Sequence, residues 1–252
     1  RGMFLQGQGK TQQAIADFTR AIELDGDYTV AYTNRGFAAM AEGNPQAAEA
    51  DFAAALRIDP QQPLVYSLRG TSRLSQGNPT AAIEDYSQVL KLDTQNPIAH
   101  ADLGFARYFA GDYANAGAAF DKAVSMDANL RYLNPWRYWS QIKAKQPAAA
   151  AGKLGDSLTK PADQRDWVDH LGAYLSGTLN DQALLAAADK KEGPLRSAQL
   201  CEAYYFQAEK KAAAGDATGA AALYQQTFDS KQAHLSAYRG AQYAMKKFPA
   251  AK

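Results

Sequence analysis

The sequence predicts an all-α fold in which helix–turn–helix hairpins stack into a right-handed superhelical solenoid. Three observations carry that expectation. Residues 41–60, AEGNPQAAEADFAAALRIDP, are echoed by residues 75–94, SQGNPTAAIEDYSQVLKLDT, with 8 of 20 positions identical. Five residue series recur at a spacing of 34: Gly2, Gly36, Gly70, Gly104; Gly9, Gly43, Gly77, Gly111; Ala14, Ala48, Ala82, Ala116; Phe18, Phe52, Tyr86, Phe120; and Asp25, Asp59, Asp93, Asp127. In three of the periods a glycine and a capping residue follow one another, twice with a proline next.

Each element follows from these positions. Gly43, Gly77 and Gly111 end the first helix of a hairpin, where glycine adopts the left-handed conformation without a Cβ clash. Asn44, Asn78 and Asp112 are the expected N-caps of the second helix, and Pro45 and Pro79 sit at its first position, where a missing N–H costs nothing. Gly36, Gly70 and Gly104 lie inside the first helix at a cost of about 1 kcal/mol each against alanine. The expected return is close approach of the second helix, with Ala48, Ala82 or Ala116 opposite and the aromatic filling the gap to the next hairpin. One hairpin cannot bury its apolar face alone, so the unit repeats. A 34-residue period built on these residues resembles the tetratricopeptide repeat (TPR).

Two charged positions vary together. Arg1, Arg35 and Arg69 precede the helix glycine, and Asp17, Asp51 and Asp85 lie on the second helix; in the fourth repeat these become Leu103 and Ala119. Joint loss of both partners predicts an ion pair between the helices, Arg35 with Asp51 or Asp17 and Arg69 with Asp85 or Asp51. Arg1 falls in mid-helix, so the rest of that helix and a leader sequence are expected upstream.

Residues 1–130 thus read as four TPR hairpins, the first truncated. After about residue 130 the pattern breaks. An irregular helical segment is expected over 131–200: a helix over 131–146 rich in aromatics, a short partner over 147–158, and a helix pair over 166–177 and 180–189. Over 201–252 the pattern returns, with Gly215, Asp216, Ala220 and Tyr224 in the turn, cap, small-residue and aromatic positions, and a capping helix over 233–248. No linker composition separates the parts, which read as one continuous body.

Composition excludes several classes of function. A net charge of +1 gives no field for nucleic acid or an anionic membrane. No stretch approaches the ~20 apolar residues of a membrane span. One cysteine, Cys201, permits no intrachain disulfide, and it reads as a buried structural thiol. His100, His170 and His234 show no metal-ligand spacing, and His100 occupies the repeat position of Tyr32 and Tyr66. Trp136 and Trp139 read as core. Paired lysines at 190–191, 210–211 and 246–247 read as solvated helix faces. No catalytic constellation, metal site or cofactor site emerges, which points to a non-enzymatic protein.

The remaining candidate is a surface. In such solenoids the first helices line a concave groove, here Asn34, Phe37 and Met40; Leu68, Thr71 and Leu74; and Asp102, Phe105, Tyr108 and Phe109. TPR domains that clamp a chaperone's terminal carboxylate use Lys, Arg and Asn where this chain has Thr33, Phe37, Leu68, Ile98 and Asp102, so that clamp is not expected. An apolar lining suits an amphipathic helix or extended peptide held by side-chain burial, at ~25 cal/mol per Å². The alternative is a structural homo-oligomerisation module whose groove is self-occupied.

The succession PWRYW (135–139), DWVDHLGAYLSGTLNDQALLAAAD (166–189), QLCEAYYFQAEKKAAAGDATGAAALYQQTF (199–228) and AYRGAQYAM (237–245) resembles the NlpI-type TPR lipoproteins of Gram-negative bacteria. The resemblance implies an extracytoplasmic homodimeric adaptor, periplasmic or outer-membrane-associated, that presents peptidoglycan hydrolases to a processing protease. No lipid-attachment cysteine stands in the sequence.

Overall fold

The computed structural model describes residues 1–154 and 160–246. The end of the helix expected over 147–158 and the last residues of that expected over 233–248 lie outside the described residues. All regular structure among the described residues is helical. The chain divides into two compact units, Arg1–Ala110 and Gly111–Lys252.

The first unit contains α1 (Gly2–Gly7), α2 (Thr11–Leu24), α3 (Thr29–Ala41), α4 (Pro45–Ile58), α5 (Pro63–Ser75), α6 (Pro79–Leu92) and α7 (Pro97–Ala110). Each helix packs on the next in chain order. The turn glycines are left-handed, Gly9 at φ 72°, Gly43 at 74° and Gly77 at 81°. At each, two backbone N–H groups bond back into the preceding helix, as when Gly43 donates to Met40 at 3.0 Å and Asn44 to Ala39 at 2.9 Å. Asn44 and Asn78 cap as expected, accepting from Ala47 and Ala81 at 3.1 and 3.2 Å.

The helix glycines do a different job from the one expected. A Cβ on Gly36 would lie 2.7 Å from Cε1 of Phe52, and one on Gly70 would lie 2.9 Å from Cζ of Tyr86. The aromatic ring of the same hairpin, not the alanine, occupies the space that glycine vacates. Ala48 and Ala82 are fully buried beside it. The aspartate series has its own role. Asp25, Asp59 and Asp93 each accept from the backbone N–H two residues on, at 3.1, 2.9 and 3.2 Å, turning the chain toward the next hairpin.

The expected ion pairs form within each hairpin. Arg1 meets Asp17 at 3.0 Å, Arg35 meets Asp51 at 2.7 Å and Arg69 meets Asp85 at 2.7 Å. Arg35 binds both carboxylate oxygens and also donates to Thr19 of the preceding hairpin at 3.1 Å. Tyr32 and Tyr66 lie beneath the guanidinium groups of Arg35 and Arg69, at 5.7 and 5.5 Å. Arg73 bridges Asp85 and Glu49, at 2.9 and 2.8 Å. Burial alone would raise the Glu49 carboxyl, but Arg73 and Gln76 hold it below the usual range.

The second unit contains α8 (Tyr113–Met126), α9 (Asn134–Lys143), α10 (Pro147–Ala150), α11 (Trp167–Leu175), α12 (Asp181–Asp189), α13 (Gly193–Ala213), α14 (Ala217–Asp229) and α15 (Ser236–Met245). Asp112 departs from its expected role: it makes no side-chain cap, because its carboxylate binds the Asn115 amide at 2.9 and 3.0 Å. Where the residue pattern breaks, the backbone keeps the repeat for one more hairpin. Lys145 is left-handed at φ 61°, at the position of Gly43, Gly77 and Gly111 one period on. It donates to Ile142 at 3.0 Å, and Gln146 donates to Gln141 at 2.9 Å. Pro147 opens the next helix, and Ala150 and Leu154 stand buried at the small and aromatic positions. Arg137 and Lys153 take the register of the Arg–Asp pair, and both bind Asp121 instead, at 2.8 and 2.7 Å.

Trp136 and Trp139 are core, as expected. Trp136 stacks on Tyr205 with ring centroids 5.1 Å apart and meets Phe206 edge-on at 5.2 Å. The hairpin of α13 and α14 turns on Gly215, with Asp216 accepting from Gly219 at 2.8 Å. Gly240 of α15 lies against the Tyr205 ring, where a Cβ would sit 2.6 Å from it.

Candidate partner-binding face

The first helices of the hairpins in the N-terminal unit, α3, α5 and α7, each carry a stripe at i, i+4 and i+7. Side chains at that spacing share one face of a helix. The stripes run Val30–Asn34–Phe37, Leu64–Leu68–Thr71 and Ile98–Asp102–Phe105. The expected lining falls into two classes on them. Phe37 is 51% exposed, and Asn34, Met40, Leu68, Thr71 and Asp102 are half-buried. Leu74, Phe105, Tyr108 and Phe109 are buried, at 8% exposure or less. The aromatic end of the expected lining is therefore packing, with Phe105 and Phe109 stacked at 6.2 Å and Tyr108 edge-on to Phe109 at 6.0 Å.

The open apolar residues lie one turn nearer the start of each helix. Val30, Leu64 and Ile98 are 47, 66 and 51% exposed, and they recur at the 34-residue period. Sequence reasoning missed them as lining, although the helical spacing that selects Asn34 and Phe37 extends back to Val30. The asparagine of the face is held in place, Asn34 donating to the Val30 carbonyl at 2.8 Å. Beside Val30 a cavity of about 320 Å³ opens, walled by Met3, Phe18, Leu24, Tyr28 and Asn34. The cations near the stripes and the cavity, Arg1, Arg20, Arg35, Arg69 and Arg73, are each paired with a carboxylate. The face can therefore hold a ligand by apolar burial but offers little for an anion.

The residues weighed for chemistry take structural places. Cys201 is fully buried, and its thiol is pushed up to about 11 by burial, a poor nucleophile. No group of three metal-ligating side chains occurs among the described residues. Sequence reasoning also missed Glu209 on α13, 3% exposed, which accepts from Trp139 at 2.7 Å, Lys143 at 2.5 Å and Tyr224 at 2.7 Å. Burial works against its charge, yet Lys143 and these hydrogen bonds hold the carboxyl below its ordinary range. That node ties α9, α13 and α14 together.

Hairpins of this geometry, with turn, small residue and aromatic in fixed register, define a helical repeat protein. Residues 5–71 match the family described as "Tetratricopeptide repeat" and residues 70–111 that described as "TPR repeat", so tetratricopeptide repeats make up the N-terminal unit. No curated protein matches the chain by sequence. Among solved structures, YrrB, "a TPR protein with an unusual peptide-binding site", is similar at 17% identity and TM-score 0.60, over 71% of this chain and 89% of its own. MamA from Desulfovibrio magneticus RS-1 is similar at 16% identity and TM-score 0.59, over 66% of this chain and 93% of its own. A tetratricopeptide repeat protein from Parabacteroides merdae ATCC 43184 is similar at 16% identity and TM-score 0.52, over 97% of this chain and 81% of its own. Identities this low establish a shared fold. No described helix is long and apolar enough to cross a membrane.

Proposed function

We propose that the protein is a non-catalytic scaffold that binds an apolar or amphipathic peptide segment on the exposed stripes of α3, α5 and α7. The observation that carries this reading is the ladder Val30, Leu64 and Ile98, one exposed apolar side chain per hairpin, with Phe37 beside it. Apolar side chains gathered on one face mark an interaction surface, whereas singly scattered ones do not. The peptide-binding site described for YrrB supports the class of ligand. On the resemblance to NlpI-type lipoproteins, we further place the protein in the bacterial envelope, as a homodimeric adaptor between cell-wall hydrolases and a processing protease.

Selection of a displayed random-peptide library against the full chain tests the binding mode. Enriched peptides should carry apolar residues at helical or alternating spacing. The Phe37→Asp and Leu64→Asp variants, both exposed positions, should lose them while keeping the helical circular dichroism of the parent. Peptides that bind both variants unchanged would sink the proposal. Sedimentation equilibrium separates the alternative: a dimer that dissociates in Leu64→Asp would mean that a second copy covers the face.

A further inference from the structure

We infer that the C-terminal unit holds a second, independent ligand site, which takes a short acidic peptide segment. The site is a cavity of about 390 Å³ between the start of α11, the residues after α12 and the first half of α13. Three observations define its ligand.

The first is charge. Arg165, Lys190 and Lys191 line the cavity, and the two lysines are exposed with no ion pair among the described residues. Of the two acidic side chains in the lining, Asp166 is already engaged: it pairs with Arg131 and accepts from the backbone N–H of Asp169 at 3.0 Å. Asp163 is left against three cations, so the cavity favours an anion.

The second is a buried polar group without a partner. Gln199 lines the same cavity at 5% exposure, and its Oε1 makes no hydrogen bond among the described residues. A buried amide oxygen left unpaired is unusual and costly. That oxygen is shielded from solvent, and because the terminal torsion of glutamine is broad, rotation about it can turn the amide toward a ligand. An inorganic anion brings no N–H to that oxygen, whereas a peptide carries backbone N–H groups next to its carboxylates.

The third is a fixed aromatic wall. Trp167, half-buried, donates its indole N–H to Glu202 at 2.6 Å, and His170 donates from Nδ1 to the Asp166 carbonyl at 2.7 Å. Both rings are held by bonds on one edge, which leaves them as surfaces for the aliphatic parts of a peptide. Lysines, an aromatic wall and a buried amide acceptor together select a carboxylate-bearing peptide rather than an ion alone.

Trp167 supplies the readout, because Trp136 and Trp139 are buried at 2 and 4% exposure. The full chain is titrated with the blocked peptide acetyl-Ala-Glu-Glu-Ala-amide, with its Gln-Gln analogue, and with inorganic phosphate. The acidic peptide should give a saturable change in Trp167 fluorescence, and the Gln-Gln analogue should bind at least about tenfold more weakly. The exposed double substitution Lys190→Ala/Lys191→Ala should weaken the acidic peptide by a similar factor. Gln199→Met keeps the side-chain volume and removes the unpaired oxygen, so it should weaken the peptide without lowering the melting temperature. Absence of saturation at millimolar peptide, unchanged affinity in the lysine variant, or equal affinity for phosphate would each overturn the assignment. None of these outcomes bears on the face of α3, α5 and α7.

Discussion

Lys145 holds a left-handed backbone at φ 61°, a conformation that the equivalent hairpins assign to glycine. A side chain there costs about 1–2 kcal/mol, because its Cβ crowds the neighbouring carbonyl. Lys145→Gly should therefore stabilise the C-terminal unit by about 0.5–1 kcal/mol, net of the extra chain entropy of glycine in the unfolded state. Chemical denaturation with an unchanged m-value checks it, and a loss of stability would mean that the lysine side chain does more than fill a turn. Gly36 tests the opposite substitution. Gly36→Ala adds about 1 kcal/mol of helix propensity, yet the new Cβ meets the Phe52 ring at 2.7 Å. Phe52 is fully buried and cannot retreat into solvent, so the expected net effect is a loss of about 1–3 kcal/mol. Gly43→Ala is a contrasting control, because nothing lies within 4 Å of a Cβ there and only the backbone conformation is strained.

At the scale of the hairpin, the pairing of Arg35 with Asp51 was legible because the chain carries its own comparison: both charges vanish together in the fourth repeat, at Leu103 and Ala119. The same logic yields a double-mutant cycle. Asp51→Ala leaves Arg35 half-buried with only Thr19 and the Tyr32 ring as partners, and Arg35→Leu leaves the Asp51 carboxylate 10% exposed without its cation. Each single change should cost about 1–3 kcal/mol, and the double substitution should cost clearly less than their sum. Additive losses would show that the pair contributes nothing as a pair. The sequence placed a helix and a short partner over 131–158, but the repeat comparison could not reveal that α9 and α10 keep the register of the repeat. There the identities are gone, with Lys145 for glycine and Leu154 for the aromatic, and only proline, a small residue and backbone geometry persist. Periodicity of residue type identifies a repeat only while the same residue solves the same steric problem. The lining of the candidate face failed for a related reason. Helical spacing places Phe37 and Phe105 on equivalent faces, but exposure depends on what packs there: Phe37 is open at 51% and Phe105 is covered at 7%.

For the molecule as a whole, two carboxylates of α13, Glu202 half-buried and Glu209 buried, give stability opposite slopes with pH. The Glu202 carboxyl is pushed up to about 7 by burial, against the hydrogen bond from Trp167. Its folded state therefore holds a proton more tightly than the unfolded chain, whose value is 4.5. Stability from this group is full below the unfolded value and falls as pH rises toward about 7, by on the order of 3 kcal/mol at most. Glu209 runs the other way. Held below the ordinary range by Lys143 and its hydrogen bonds despite burial, it stabilises above the unfolded value and loses that contribution as the medium is acidified through its folded value. Glu202→Gln removes the first slope and keeps an oxygen to accept from Trp167. In urea titrations, the variant should gain on the parent as pH rises from about 5 to about 8, with the difference largest at the alkaline end. Equal offsets at both pH values would show that Glu202 is ionised throughout and that solvent reaches it. The gain cannot be assigned to the neighbouring thiol, because Cys201 is pushed up to about 11 and stays protonated across that range.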